Sequence, residues 1–138
     1  MSTKQTDAPA SDLTEVRLHG PGAATVGLFD ARGKGLIVRR LIVSGQVGVA
    51  PDGSVPATGE GQIAQAFANL RAVLEANGMG ITNLIKTTVF LTDRSLLASF
   101  RAARDAVYGG HAPCSTLLFV AGLADPRFMV EIEAEAVA

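Results

Sequence analysis

Residues 128–137 read FMVEIEAEAV. In an extended chain successive side chains point to opposite faces, so Val130, Ile132, Ala134 and Ala136 share one face and Glu131, Glu133 and Glu135 the other. That alternation predicts a strand with one core-facing side. Its charged side has two readings. It is the solvated face of an antiparallel sheet, or one carboxylate lies in a partly buried cleft, where desolvation raises its pKa toward that of a useful base. Periodicity leaves both open.

Upstream, LIVRRLIV (36–43) is a β-branched apolar run with Arg39 and Arg40 at its centre, again a strand. It leads through SGQVGV into Pro51-Asp52-Gly53, which combines a fixed φ, an Asx side chain and tolerance of positive φ, the chemistry of a turn. The period then changes. Ile63, Phe67, Leu70 and Leu74 recur at helical spacing over residues 60–77, while Gln62, Gln65, Asn69, Arg71 and Glu75 fall largely elsewhere. Thr58 is placed to cap this helix and Asn77-Gly78 to stop it. NLIKTTVFLT (83–92) predicts a strand. Asp93 caps a second helix over about 94–108, with Leu97, Phe100, Ala103 and Val107 inward and Arg94, Arg101 and Asp105 outward, ended by Gly109-Gly110. STLLFVAG (115–122) is a further strand before the last.

Strands, helix, strand, helix and two strands make an α+β sheet with two helices on one face. LIVRRLIV and STLLFV look apolar on both sides, so the other face also needs cover. Self-association supplies it most simply, and an oligomer is expected.

With 138 residues, nearly half of them apolar, the chain has one domain's worth of sequence, over 13–138, and can build a core without disulfides. Residues 1–12 are polar and read as a disordered tail, without the apolar segment of a secretory signal. No run approaches the ~18 apolar residues of a membrane span. A soluble, cytoplasmic protein is expected, with one cysteine and no internal bridge. The 12 Lys and Arg balance the 13 Asp and Glu, so no global basic field attracts nucleic acid or anionic lipid.

The candidates for chemistry start with HAPCSTLLFV (111–120). A Cys or Ser nucleophile needs a base within hydrogen-bond reach, and the chain offers only His19 and His111, neither in a nucleophile motif. Cys114, a lone cysteine entering a strand, reads as a small buried apolar residue. His111, behind Gly-Gly, reads as a loop residue, or a ligand contact if it borders a cleft. Gly45 in SGQVG lets the backbone approach a small ligand, or serves a bulge; no phosphate-loop pattern surrounds it. Arg39, Arg40, Arg101 and Arg104 are cations that a carboxylate ligand could use, or solvated surface charges.

LIVSGQVGV with its P-D-G turn, NLIKTTVFLTD, PCSTLLFVAGL and VEIEAEAVA, in this order, resemble the Rid/YjgF family, also called the reactive intermediate deaminase or L-PSP family. The resemblance covers about residues 36–138. It implies a chorismate-mutase-like α+β fold, a mixed sheet with two helices on one face, and a homotrimer with small-molecule clefts between subunits. It implies no metal and no organic cofactor, and no nucleic-acid or membrane partner is expected. In the deaminase branch an arginine two residues after the signature proline holds the substrate carboxylate. A glutamate in the last strand positions the water that hydrolyses an imine or enamine such as 2-aminoacrylate.

Matched position by position, that glutamate is Glu131, the SGQ glycine is Gly45 and the proline is Pro113, followed by Cys114. The arginine position is Ser115, and Leu117 stands where a cysteine is often found. An asparagine of the second helix falls near Arg101, and Phe29 is the nearest match to an N-terminal tyrosine. Serine for arginine removes a bidentate, charge-assisted clamp, so Ser115 suits substrates without a carboxylate, and Arg101 or Arg127 would have to bring charge from elsewhere. The expected activity is hydrolysis of an imine-like small metabolite by Glu131 and water, in a cleft walled by Gly45, Ser115, Cys114, Arg101 and Phe29. The alternative is a trimer that binds a ligand or a protein without turnover. The family's older endoribonuclease label fits poorly with balanced charge and few aromatics.

Overall fold

The computed structural model describes Thr14–Leu18, Ala23–Phe29 and residues 37–138, with side chains from Arg39 onward. The tail reading for residues 1–12, and His19, lie outside the described residues. Six strands form one sheet: β1 (Thr14–Leu18), β2 (Ala23–Phe29), β3 (Ile37–Val47), β4 (Leu84–Leu91), β5 (Cys114–Phe119) and β6 (Val130–Val137). Their spatial order is β1-β2-β3-β6-β4-β5. Every pairing is antiparallel except β4 with β5. A parallel neighbour requires a crossover, which is helix α2 (Leu97–Tyr108); helix α1 (Gly59–Ala76) connects β3 to β4. The hairpin β1–β2 extends the sheet beyond β3, in sequence not singled out as strand above.

The apolar side of β6 lies under the helices. Val130, Ile132, Ala134 and Ala136 are buried with Leu41 and Val43 of β3, Val89 and Leu91 of β4, and Ile63, Phe67, Leu70 and Leu74 of α1. Phe67 stacks on Phe100 at 5.4 Å between centroids and meets the edge of Tyr108 at 5.8 Å. Of the predicted inward residues of α2, Phe100 is fully buried, whereas Leu97, Ala103 and Val107 are partly buried against the core.

The punctuation follows the side-chain chemistry. Thr58 accepts a hydrogen bond from the Gly61 amide and caps α1. Asp93 accepts from the Ser95 amide, which holds its carboxyl below the ordinary value and opens a short 3₁₀ turn (Arg94–Leu96) ahead of α2. Gly109 ends α2 at φ +56°, a left-handed conformation that glycine adopts without a Cβ penalty.

Gln62 departs from its predicted place outside the apolar stripe: it is buried. Its amide donates to the Pro56 and Arg127 carbonyls at 3.0 and 2.9 Å, and its carbonyl accepts from the Met129 amide at 2.8 Å. A polar side chain with its amide satisfied by backbone is tolerated in a core. Here it ties the first turn of α1 to the loop that leads into β6.

Among the described residues, the second face of the sheet carries no helix. Ile42 of β3 and Leu118 of β5 are 37% and 47% exposed there, and Ile85 beside it is 44% exposed. The apolar surface that led the sequence to predict an oligomer is therefore present in the single chain.

Gln62→Leu keeps volume but strips three backbone groups of their partner, so it should cost about 2–4 kcal/mol. Denaturant unfolding with an unshifted midpoint would contradict this role.

Candidate functional site

β3 and β6 lose register between Val43 and Gln46, where β3 carries one extra residue at the Ser44–Gly45 segment. The glycine leaves room there for a carboxylate. A Cβ on Gly45 would fall 1.8 Å from the Glu131 Oε1 atom and 2.6 Å from its carboxyl carbon. The Glu131 side chain thus lies against the bare Cα of Gly45. Its lateral neighbours are Val47 on β3 and Phe90 on β4, so half-buried apolar residues flank it.

The three β6 carboxylates differ in their partners. Glu135 accepts from Nε and Nη2 of Arg40 at 3.2 and 2.5 Å, which neutralises it across the strands. Glu133 is exposed. Among the described residues Glu131 has no ion-pair partner. Glu131 is half-buried, whereas Glu133 and Glu135 line a pocket on this face together with Ile42, Lys86 and Thr88. A shallow groove runs on from Gly45 past Gln46, Val49, Pro51 and Asn69. Asn69 fixes that wall by donating to the Val47 and Val49 carbonyls, both at 2.9 Å.

Ser115 lies elsewhere. β5 runs parallel to β4 with Ser115 beside Thr87 and Thr116 beside Thr88. Thr87 is buried on the helix side, and the Ser115 hydroxyl is 3.0 Å from its Oγ1. Ser115 therefore belongs to the helix side of the sheet and Glu131 to the open side. Within one chain they do not meet. Ser115 opens into a separate cavity of about 370 Å³ between the end of α2 and the loop before β5, lined also by Arg104, Asp105, Tyr108, His111 and Pro113.

The remaining sequence candidates are scattered. Cys114 is exposed on β5 beside Lys86, which corrects its reading as a buried residue: β5 is the outer strand and nothing among the described residues covers it. Arg101 is exposed on α2 and does not line the Ser115 cavity. Arg127 is bound to Asp125, whose carboxyl the Arg127 hydrogen bonds and charge hold down to about 2. Phe29 ends β2 opposite Ile37, and its side chain lies outside the described residues.

Sequence reasoning passed over Tyr108 and Thr87 and left Arg104 among four arginines. The spacing of Arg104 and Tyr108 carried a signal: residues four apart on a helix share a face. Burial pushes the Tyr108 phenol above its ordinary value, against smaller pulls from its hydrogen bond to Thr87 and the Arg104 charge. His111 sets its Nε2 at 2.7 Å from the Leu84 carbonyl; since the carbonyl can only accept, that nitrogen carries the proton and the ring is held at the cavity wall.

Residues 34–138 match the family model described as Endoribonuclease L-PSP. A protein of Escherichia coli K12 named 2-iminobutanoate/2-iminopropanoate deaminase is 37% identical over 102 residues, covering 71% of this chain and 77% of its own length. The crystal structure of the E. coli YjgF gene product superposes with a TM-score of 0.67 at 36% identity, over 71% of this chain and 80% of its own. That of E. coli TdcF with bound serine gives 0.68 at 31% identity, over 72% and 80%.

Gly45→Ala forces the Glu131 carboxylate aside, and that flexible end can swing away. The substitution should therefore lower any Glu131-dependent activity by ~10-fold or more while costing under about 1 kcal/mol. Paired melting and activity measurements separate the two; retained activity would show that the contact is incidental.

Proposed function

This chain belongs to the Endoribonuclease L-PSP family, the Rid/YjgF family of its resemblance, and we propose that it hydrolyses small 2-imino acids to 2-oxo acids and ammonia. The observation that carries this reading is the Glu131 carboxylate laid against Gly45, half-buried, flanked by Phe90 and Val47, and unpaired among the described residues. Such a carboxylate is free to take a proton from water.

Water attacks the imine carbon as Glu131 accepts its proton, giving a carbinolamine. The proton passes to nitrogen, Glu131 then takes the hydroxyl proton and delivers it to nitrogen, and the C–N bond breaks so that ammonia leaves as the carbonyl forms. Backbone N–H groups at the interrupted ladder of Ser44–Gly45 stabilise the charge that develops. Relatives named for deamination of 2-iminobutanoate and 2-iminopropanoate support this substrate class.

The site is shared between subunits of a homotrimer. Two observations favour this: the open sheet face exposes Ile42 and Leu118, and Ser115 and Glu131 lie on opposite sides of one sheet. A neighbouring copy brings the Ser115 side of one chain to the Glu131 side of the next. The arginine position occupied by Ser115 favours a second reading, a trimer that binds ligand without turnover.

The test is decay of 2-iminobutanoate, generated in solution by an amino-acid oxidase. Wild type should accelerate its hydrolysis above the spontaneous rate, and Glu131→Gln should lower kcat by about 10²-fold. Equal rates for wild type and Glu131→Gln would reject the hydrolase and leave the binding trimer. Sedimentation should give close to three times the 14.2 kDa chain mass; a single-chain mass at micromolar concentration would reject the shared site.

A further inference from the structure

We propose that Arg104 is the carboxylate-binding residue of this protein, supplying from helix α2 the cation that strand β5 lacks at Ser115. The proposal rests on the imine-hydrolase reading for the molecule that arrives, though binding itself requires no turnover.

The cavity beside Ser115 is a small, mixed-polarity space, near the lower end of the range for metabolite pockets. Arg104 is the one arginine or lysine among its lining residues. Its side chain is 35% exposed, part-desolvated yet open to a ligand. Asp105 occupies one edge: its Oδ1 accepts from Nε at 3.0 Å and from Nη2 at 2.9 Å. A guanidinium has five N–H groups, and this side-on pair uses two. The end-on edge, with both Nη1 hydrogens and the second Nη2 hydrogen, has no protein acceptor among the described residues. That edge is a bidentate fork matched to a carboxylate.

The floor of the cavity fits the same ligand. The Ser115 hydroxyl accepts from Thr87 Oγ1 at 3.0 Å, and the Tyr108 phenol lines the same cavity. Ser115 is thus a neutral donor next to a displaced cation. This revises the expectation that a serine here selects substrates without a carboxylate. The charge has moved from strand to helix, and the ligand class is a small 2-oxo or 2-imino carboxylate. Asp105, beside the same fork, tempers its affinity and repels dianions.

The test is calorimetric titration of the full-length protein with 2-oxobutanoate and with its uncharged amide. Arg104→Ala should weaken 2-oxobutanoate by about tenfold or more and leave the amide unchanged, with Arg104→Lys between because charge survives without the fork. Arg71→Ala, on the exposed side of α1, should change neither. The proposal is overturned if Arg104→Ala binds 2-oxobutanoate as tightly as wild type, or if wild type binds the amide as well as the acid or binds neither. In the imine assay Arg104→Ala should raise KM and spare kcat, the reverse of Glu131→Gln. Arg104-dependent binding without any hydrolysis would remove the proposed reaction and keep this site; Glu131-dependent hydrolysis with an unchanged KM in Arg104→Ala would do the opposite.

Discussion

The approach of the Glu131 carboxylate to the bare Cα of Gly45 constrains more of this structure than any other contact. It needs a residue without Cβ at a register break in β3, a strict alternation in β6 that turns Glu131 away from the core, and a register that sets Phe90 and Val47 beside it. The same alternation drives Ile132 and Ala134 under the helices. A single-residue slip of β6 would put three carboxylates in the core and leave the open face apolar, so folding selects one register.

That register also divides the chemistry. β6 pairs antiparallel with β4, and β4 parallel with β5, which sets Thr87, Ser115 and Ala134 on the helix side while Glu131 and Glu133 stay on the open side. A substrate touching both Glu131 and the Ser115 cavity needs a second copy of the chain. The exposed Ile42 and Leu118 give that copy apolar surface to cover. On the proposed reading, assembly and catalysis are one requirement.

Much of the fold was legible in local pattern. Ile63, Phe67, Leu70 and Leu74 announce α1, Thr58 and Asp93 announce the starts of helical segments, and Val130 to Ala136 announce β6, because helical and extended periods are properties of neighbouring residues. Family resemblance carried the rest of the architecture. What escaped was non-local. The burial of Gln62 depends on carbonyls from Pro56 and Arg127 and an amide from Met129, which meet only in the folded chain. The side of the sheet taken by Ser115 depends on two inter-strand registers. Arg101 was favoured by matching positions, whereas Arg104 lines the cavity one turn further on, where the end of α2 meets the loop before β5. Cys114 looked like a core residue by composition and is exposed because its strand is the sheet's outermost.

The most direct test of the divided site is subunit mixing. Ser115→Tyr plugs the cavity on one side and Glu131→Gln removes the base on the other, so each variant alone should be inactive toward 2-iminobutanoate. Equal amounts, unfolded together and refolded, form mixed trimers in which about a quarter of the interfaces join two intact halves. Recovery of about a quarter of wild-type activity is the expected result. A mixture no more active than its separate components would mean that each site is built within one chain, and would contradict the shared cleft.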